Sequence, residues 1–334
     1  MTVRFAVLGA GRIGKVHAGA IASHPGARLV AVADAMPAAA EALAAPAGAE
    51  VRPIEAIEAA ADVDAVVICT PTDTHAELIE RFARAGKAIF CEKPVDLDVA
   101  RVQACLKVVE ATGAKLMVGF NRRFDPHFRA VKAAIDDGRI GEVEMVTIVS
   151  RDPGAPPIDY IRRSGGIFRD MTIHDFDMAR WLLGEEPTVV AAFASNLVDQ
   201  AIGRAGDFDS ANVLLETPSG RQAVITNSRR ATYGYDQRIE VLGSAGMVAA
   251  ENQREASVEI ATGSGFTRPP LLDFFMTRYT SAYAAEIATF VAGVAEGAAI
   301  APTGDDGLRA LALAEAAVRS VAEGRKVKLA ETLR

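Results

Sequence analysis

Cysteine is scarce in this chain of 334 residues: Cys69, Cys91 and Cys105 are the whole supply. An odd and thin set does not build the disulfide framework of a small secreted domain, and it suits a reducing compartment. Long apolar runs are missing as well. No stretch reaches the roughly 18 uninterrupted apolar residues of a membrane-spanning helix. The opening MTVRFAVLGAGRIG is apolar for only a few positions before a glycine turn, too short for a signal peptide. The cytoplasm is the expected location, with no membrane partner. Positive charge is not in excess either: the net charge is -7, and no dense Lys/Arg run occurs, so nucleic acid is not an expected partner. HExxH and CxxC are absent, which leaves zinc without its usual ligands, and no metal is expected. The GxSxG elbow and the phosphate-binding P-loop are also missing.

What is present is the balance of a soluble globular protein, half hydrophobic and 24% charged. The length suits two domains. Residues 1–120 alternate strand and helix patterns. Val3–Leu8, Leu29–Ala33, Ala65–Cys69, Ala88–Cys91 and Leu116–Phe120 are short apolar runs of the kind covered on both faces. Alanine-rich segments with helical spacing lie between them, including Thr74–Ala85 and Asp98–Thr112. That rhythm implies parallel strands with right-handed crossovers, a doubly wound α/β sheet of Rossmann type.

Residues 121–334 read differently. A helix over Pro126–Asp137 stops at Gly138. Alternating strands follow at Val143–Ser150, Thr188–Leu197, Ser210–Glu216, Gln222–Asn227, Gln237–Leu242 and Met247–Ala250. Thr217–Gly220 and Gly243–Gly246 have hairpin-turn composition, and Asp152–Pro157 and Thr267–Pro270 read as loops. Helices near Ala282–Ala295 and Gly307–Glu323 come last, and the terminal helix is placed as one that can pack back on the first domain. The expectation is an α+β domain with a large, mostly antiparallel open sheet. Such a sheet needs its second face covered, and pairing with another copy does this, so a homo-oligomer is expected.

Gly9-Ala10-Gly11-Arg12-Ile13-Gly14 follows the first strand and opens a helix. The first glycine permits the tight turn, the second lets the backbone approach a pyrophosphate, and the third allows helix to pack on strand. The second strand ends at Asp34, twenty residues past Gly14, where a carboxylate can accept from the ribose hydroxyls of NAD and repel the extra phosphate of NADP. Thr70 and Pro71 follow the third strand and should border the cofactor. His75 reads equally as a cofactor contact and as a surface residue in the first turn of a helix.

The fourth main strand runs into Glu92-Lys93-Pro94. A lysine at this carboxyl end lies near the nicotinamide, and the following proline restrains where it points; Glu92 and Lys93 therefore count among the cofactor's neighbours. The same tripeptide also serves as a plain surface turn. Further on, Gly165-Gly166 precedes Asp170 and His174, which are four apart and share a face if the segment is helical. A carboxylate beside an imidazole can orient it to take a proton from an alcohol as hydride leaves carbon. It can equally be a surface contact. With no metal ligands in sight, an alcohol dehydrogenase needs such a base.

Three segments resemble the Gfo/Idh/MocA oxidoreductase family: GAGRIGKVHAGAI, CEKPVDL and GGIFRDMTIHDFDMARWLLGEEP. The resemblance runs over essentially the whole chain, and the last segment is its most specific part. It implies an NAD-dependent enzyme whose catalytic set is Lys93, Asp170 and His174. His174 would be the general base, Asp170 its orienting partner, and Lys93 a hydrogen-bond donor to the substrate oxygen. The implied reaction is oxidation of myo-inositol to 2-keto-myo-inositol, with another inositol isomer or glucose as the alternative substrate. A catalytically silent NAD-binding sensor is the alternative of another class. The resemblance further implies polyol contacts from Arg122 in Asn121-Arg122-Arg123-Phe124, from Asp152, and from Tyr233 or Tyr235. It also implies a tetramer formed through the C-terminal sheet. Some relatives carry histidine and asparagine where this chain has Ser150 and Asp152, so the chain departs from those relatives at the polyol wall.

Overall fold

The computed structural model describes residues 2–333. By its contacts the chain divides into two compact units, one running to Asp125 and including Ser281–Leu311, the other formed by Pro126–Thr280 and the residues from Ala312 onward.

The first unit is a six-stranded parallel sheet in the order β3-β2-β1-β4-β5-β6, with β1 Val3–Leu8, β2 Ala27–Ala33, β3 Glu50–Val51, β4 Ala65–Ile68, β5 Ala88–Cys91 and β6 Leu116–Val118. The order reverses beside β1, between β2 and β4, and in such sheets ligands bind outside the carboxyl ends of the strands at that point. Phe5, Val7, Val66, Val67, Ile89 and Phe90 are wholly buried, each burial stabilising by about 1.5–3 kcal/mol relative to exposure. Phe290, from the helix Thr280–Glu296, packs its ring 6.1 Å from Phe5 and 5.8 Å from Phe90. The Val118 N–H donates to Pro302 O at 3.0 Å. Residues near 290–304 thus belong to the core of this unit, which also extends past residue 120 to Asp125. The last strand is shorter than its apolar run. Gly119 still donates to Cys91 O, but Phe120 N turns back to Val118 O and ends it.

The helix Val99–Thr112 begins on Asp98, whose side chain accepts from Arg101 N, and ends on Gly113 in the left-handed region. Both are the residue types that helix ends require.

The second unit is built on a seven-stranded sheet in the order β12-β11-β7-β10-β9-β8-β15. Its strands are β7 Val143–Arg151, β8 Val189–Ser195, β9 Ser210–Glu216, β10 Gln222–Ser228, β11 Asp236–Gly243, β12 Gly246–Ala250 and β15 Val327–Lys328. A separate hairpin pairs β13 Ile260–Thr262 with β14 Gly265–Thr267, so Thr267 closes a hairpin rather than opening a loop. The large sheet is mostly antiparallel as expected; the one parallel pair is β7 with β10. It arises because the chain leaves β7 for the helical segment 158–183 and returns through β8 and β9. The helix Thr172–Leu183 packs on β7 and β10. Strand residues therefore alternate, as in Ser210–Glu216, where Ala211, Val213 and Leu215 are buried while Asn212 and Leu214 are exposed.

Candidate active site

The glycine-rich turn behaves as its spacing predicts. Gly9 has φ +98°, and a Cβ there would lie 2.5 Å from Cys69 O; at Gly14 it would lie 1.9 Å from Gly9 O. Both positions are closed to any side chain. Gly11 meets nothing within 4 Å, so its backbone faces open space. The helix Arg12–Ser23 starts there with no side-chain cap and no acidic residue in its first turn, which leaves its N–H groups for an anion. Arg12 is exposed and Ile13 half-buried at this edge. Asp34 accepts from Ala10 N at 2.6 Å through Oδ2 and from Met36 N at 2.7 Å through Oδ1. Each oxygen keeps a further lone pair for a ribose hydroxyl. These residues fit a dinucleotide: an open backbone cradle, a bare helix start and a carboxylate fixed beside the turn.

Thr70 and Pro71 follow β4 as expected, with Thr70 Oγ1 2.7 Å from Thr74 Oγ1. His75 differs from the surface reading of it. It is buried, its Nδ1 lies 2.8 Å from Pro94 O and its Nε2 2.8 Å from Thr70 O. Between these two carbonyls the ring bridges the loop after β4 and the loop after β5, and it is not a surface residue. Glu92 also turns inward, its Oε1 2.6 Å from His17 Nε2, whereas Lys93 beside it is half-buried. Arg123 pairs with Asp306 at 2.8 Å, and its neighbour Arg122 is buried at the turn after β6.

Asp170 and His174 lie in the second unit. One continuous helix was the condition for their shared face, but the structure has two. Gly166–Asp170 ends where Thr172–Leu183 begins, the break falling at Met171, which adopts φ -95° and ψ -58°. His174 N reaches Met171 O at 3.4 Å, one residue short of the regular helical acceptor. The break follows from what holds the first helix. Ile167 N donates to Asp207 Oδ1 at 2.8 Å, and a Cβ on Gly166 would stand 2.7 Å from that oxygen. Asp170 Oδ1 accepts from the Tyr160 hydroxyl at 2.8 Å, while its Oδ2 lies 3.7 Å from Arg229 Nη1. Arg229 is 1% exposed and also binds Asp207 at 3.1 Å. On either side of His174 in the chain, Thr172 and Asp175 share one partner: Asn227 accepts from Thr172 Oγ1 at 2.6 Å and donates to Asp175 Oδ2 at 2.8 Å. Buried polar groups linked in this way hold one geometry, because an unmade bond there is costly.

Asp152 follows β7, its N–H donating to Ser228 O. The two tyrosines differ. Tyr233 is 53% exposed, and its hydroxyl accepts from Arg151 and donates to Asp236. Tyr235 is 6% exposed and packs edge-on against Phe274 and Tyr279. Ser150 is buried and donates to Gln237 Oε1 at 3.1 Å.

Two family models match the chain: an oxidoreductase family with an NAD-binding Rossmann fold over residues 3–120, and the GFO/IDH/MocA C-terminal domain over residues 128–249. The inositol 2-dehydrogenase of Rhizobium meliloti is 76% identical over 330 residues, covering 99% of this chain and 100% of that protein. The chain belongs to the Gfo/Idh/MocA family. The myo-inositol 2-dehydrogenase of Thermotoga maritima is 46% identical, over 99% of this chain and 100% of its own length. Among solved structures, the scyllo-inositol dehydrogenase of Lactobacillus casei with bound NAD(H) and scyllo-inositol superimposes with a TM-score of 0.92 at 30% identity, covering 99% of this chain and 100% of that one. As a Gfo/Idh/MocA protein, the chain is an oxidoreductase with NAD as its cofactor.

Several residues around the site have no signal in the sequence. Tyr160, Asp207 and the pair Asn227 and Arg229 come from three separate segments, and no spacing rule joins them. His17, from the helix Arg12–Ser23, is joined to Glu92 in the same way, although a histidine on the apolar face of an alanine-rich helix is itself a signal. Among the described residues no helix is long and apolar enough to cross a membrane.

Proposed function

We propose that the chain oxidises myo-inositol to 2-keto-myo-inositol with NAD. The observation that carries this reading is the 76% identity, end to end, with an inositol 2-dehydrogenase. Bound NAD supplies the hydride acceptor. His174 takes the proton of the C2 hydroxyl, and Asp170 orients its imidazole and favours the protonated form. Lys93 donates a hydrogen bond to the same oxygen, which stabilises the negative charge that develops on it as the O–H proton leaves. Tyr160 and Arg229 fix the carboxylate of Asp170, so it need not reorganise during the step.

A ring with six hydroxyls requires a wall of polar partners, since each hydroxyl desolvated without one is penalised. Arg122, Asp152 and a tyrosine of the pair Tyr233 and Tyr235 are the proposed wall. An assay of NADH absorbance across myo-inositol, scyllo-inositol and glucose tests this reading. It predicts kcat/KM for myo-inositol at least about tenfold above glucose, a difference of about 1.4 kcal/mol in transition-state binding. A preference for glucose overturns it.

We further propose a homotetramer formed through the open face of the second unit's sheet. Three rows of paired residues cross that face: Leu242–Met145–Gln222, Glu240–Thr147–Val224–Leu214–Ala191 and Arg238–Val149–Thr226–Asn212–Phe193. Phe193 is 78% exposed, with Met145, Leu214, Val224 and Leu242 exposed beside it. An apolar face of this extent, rimmed by charge, marks an interaction surface. Sedimentation at micromolar concentration should give four chains per particle; a monomer refutes the assignment.

A further inference from the structure

Three ionisable side chains meet inside the first unit, away from the cofactor turn. His17 comes from the helix Arg12–Ser23, Glu92 from the end of β5, and Glu286 from the helix Thr280–Glu296. His17 and Glu286 have no exposed surface, and Glu92 is 9% exposed. The imidazole lies between the two carboxyl groups. Its Nε2 is 2.6 Å from Glu92 Oε1, and its Nδ1 faces Glu286 Oε1 at 3.8 Å. Phe90 and Tyr283 pack edge-on against the ring, at 4.9 and 5.6 Å between centroids. Neither oxygen of Glu286 has a hydrogen-bond partner, and nor does His17 Nδ1. The field of Glu286 also reaches the thiol of Cys69 and helps to raise its pKa.

The three could suggest a metal site, but the geometry argues for a proton. A nitrogen and an oxygen 2.6 Å apart share a hydrogen and leave no room for an ion between them. A carboxylate only accepts, so Nε2 is the donor to Glu92. With Nε2 committed to Glu92, only Nδ1 of the ring faces Glu286, at 3.8 Å and without a hydrogen bond. A buried carboxyl group with no donor to either oxygen has nothing to offset the cost of a negative charge, which favours its neutral, protonated form. Burial and the charge of Glu92 act in the same direction, both pushing Glu286 well above the ordinary carboxyl range.

We propose that Glu286 is a protonated carboxyl group facing His17 Nδ1, and that Glu286 and His17 are positioning residues for Glu92 and for Lys93 beside it. The His17–Glu92 bond, with the neutral Glu286 against the other edge of the ring, fixes the carboxyl end of β5 as a supporting shell fixes a catalytic side chain. The part that concerns Lys93 rests on the role given to that lysine above.

The proton is tested by infrared spectroscopy of the intact NAD-bound protein near pH 8. A carboxylic acid C=O stretch is expected in the wild type and should vanish in Glu286→Gln. No such band, or a stoichiometric bound metal lost in that variant, overturns the proposal. Thermal melting gives a second reading with a definite sign. A carboxyl group raised above its ordinary value of 4.5 contributes fully below that pH, and its contribution is lost as pH rises toward the folded value. Glu286→Gln should therefore gain in melting temperature relative to wild type as pH rises from 5 to 8; a constant difference contradicts the proton.

Positioning is tested by kcat on the polyol the enzyme uses best. Glu286→Gln keeps a neutral polar group facing Nδ1 and should hold kcat within about threefold, while Glu286→Leu should lower it at least about tenfold with KM for NAD little changed. If the leucine variant does not fold, the pH profile decides. Loss of kcat at high pH should begin at higher pH in Glu286→Gln than in wild type, because the amide cannot ionise. Superimposable profiles, or an unchanged kcat in the leucine variant, defeat the positioning role. An enzyme that turns over no inositol defeats the substrate reading instead, and the infrared band still decides the proton.

Discussion

His174→Ala should lower kcat for myo-inositol by about 10²- to 10⁴-fold, the range expected when a positioned general base is removed. NAD affinity, measured by calorimetry, should stay within about threefold of wild type, under 1 kcal/mol of binding energy. The expectation follows from where the residue lies. His174 occupies the first turn of Thr172–Leu183, in the second unit, while the glycine turn and Asp34 belong to the first. The substitution alters none of the residues assigned to the dinucleotide. It also leaves Asp170 with Tyr160 and Arg229 as partners, so the carboxylate should not collapse into new contacts. Near-normal turnover would remove His174 from the reaction.

Gly14→Ala should have the larger effect on cofactor binding. The added methyl would stand 1.9 Å from Gly9 O and 3.0 Å from Gly9 C, both backbone atoms of the turn. Neither can rotate aside as a side chain would, so either the helix start shifts or the turn opens. Overpacking of this sort costs about 1–3 kcal/mol of stability, and more where backbone must move. The displaced N–H groups would also lose their aim at a pyrophosphate. NAD affinity should fall at least about 100-fold, about 2.7 kcal/mol, with a lower melting temperature. Retained affinity would mean that the pyrophosphate does not sit on this turn.

The first unit was legible because its signals are local. Short apolar strands, Asp98 before a helix, Gly113 after it and the glycine turn each fix a conformation within a few residues. Glu50–Val51 was not, since two exposed residues carry no period. In the second unit the alternation of β7 to β12 was readable, but the parallel pairing of β7 with β10 was not, because a strand's own pattern does not name its neighbour. The hairpin of β13 and β14 is exposed throughout and left no hydrophobic trace.

The site divides along the same line. Gly9, Gly11, Gly14 and Asp34 are read from one turn and one strand end. Asp170 and His174 were paired by helical spacing, and the structure replaces that single helix with two meeting at Met171. What fixes Asp170 is Arg229 and Tyr160, some 59 and 10 residues away in the chain, contacts that only folding makes. His75, read equally as a cofactor contact and as a surface residue, is buried with its two nitrogens facing Pro94 O and Thr70 O, so the surface reading fails.

The central claim is direct transfer of hydride from C2 of myo-inositol to NAD. Incubating the enzyme with NAD and myo-inositol deuterated at C2, with mass analysis of both products, tests it most directly. The account predicts one deuterium in the reduced cofactor and none in 2-keto-myo-inositol. Deuterium retained in the polyol product, or no reduced cofactor at all, would contradict it.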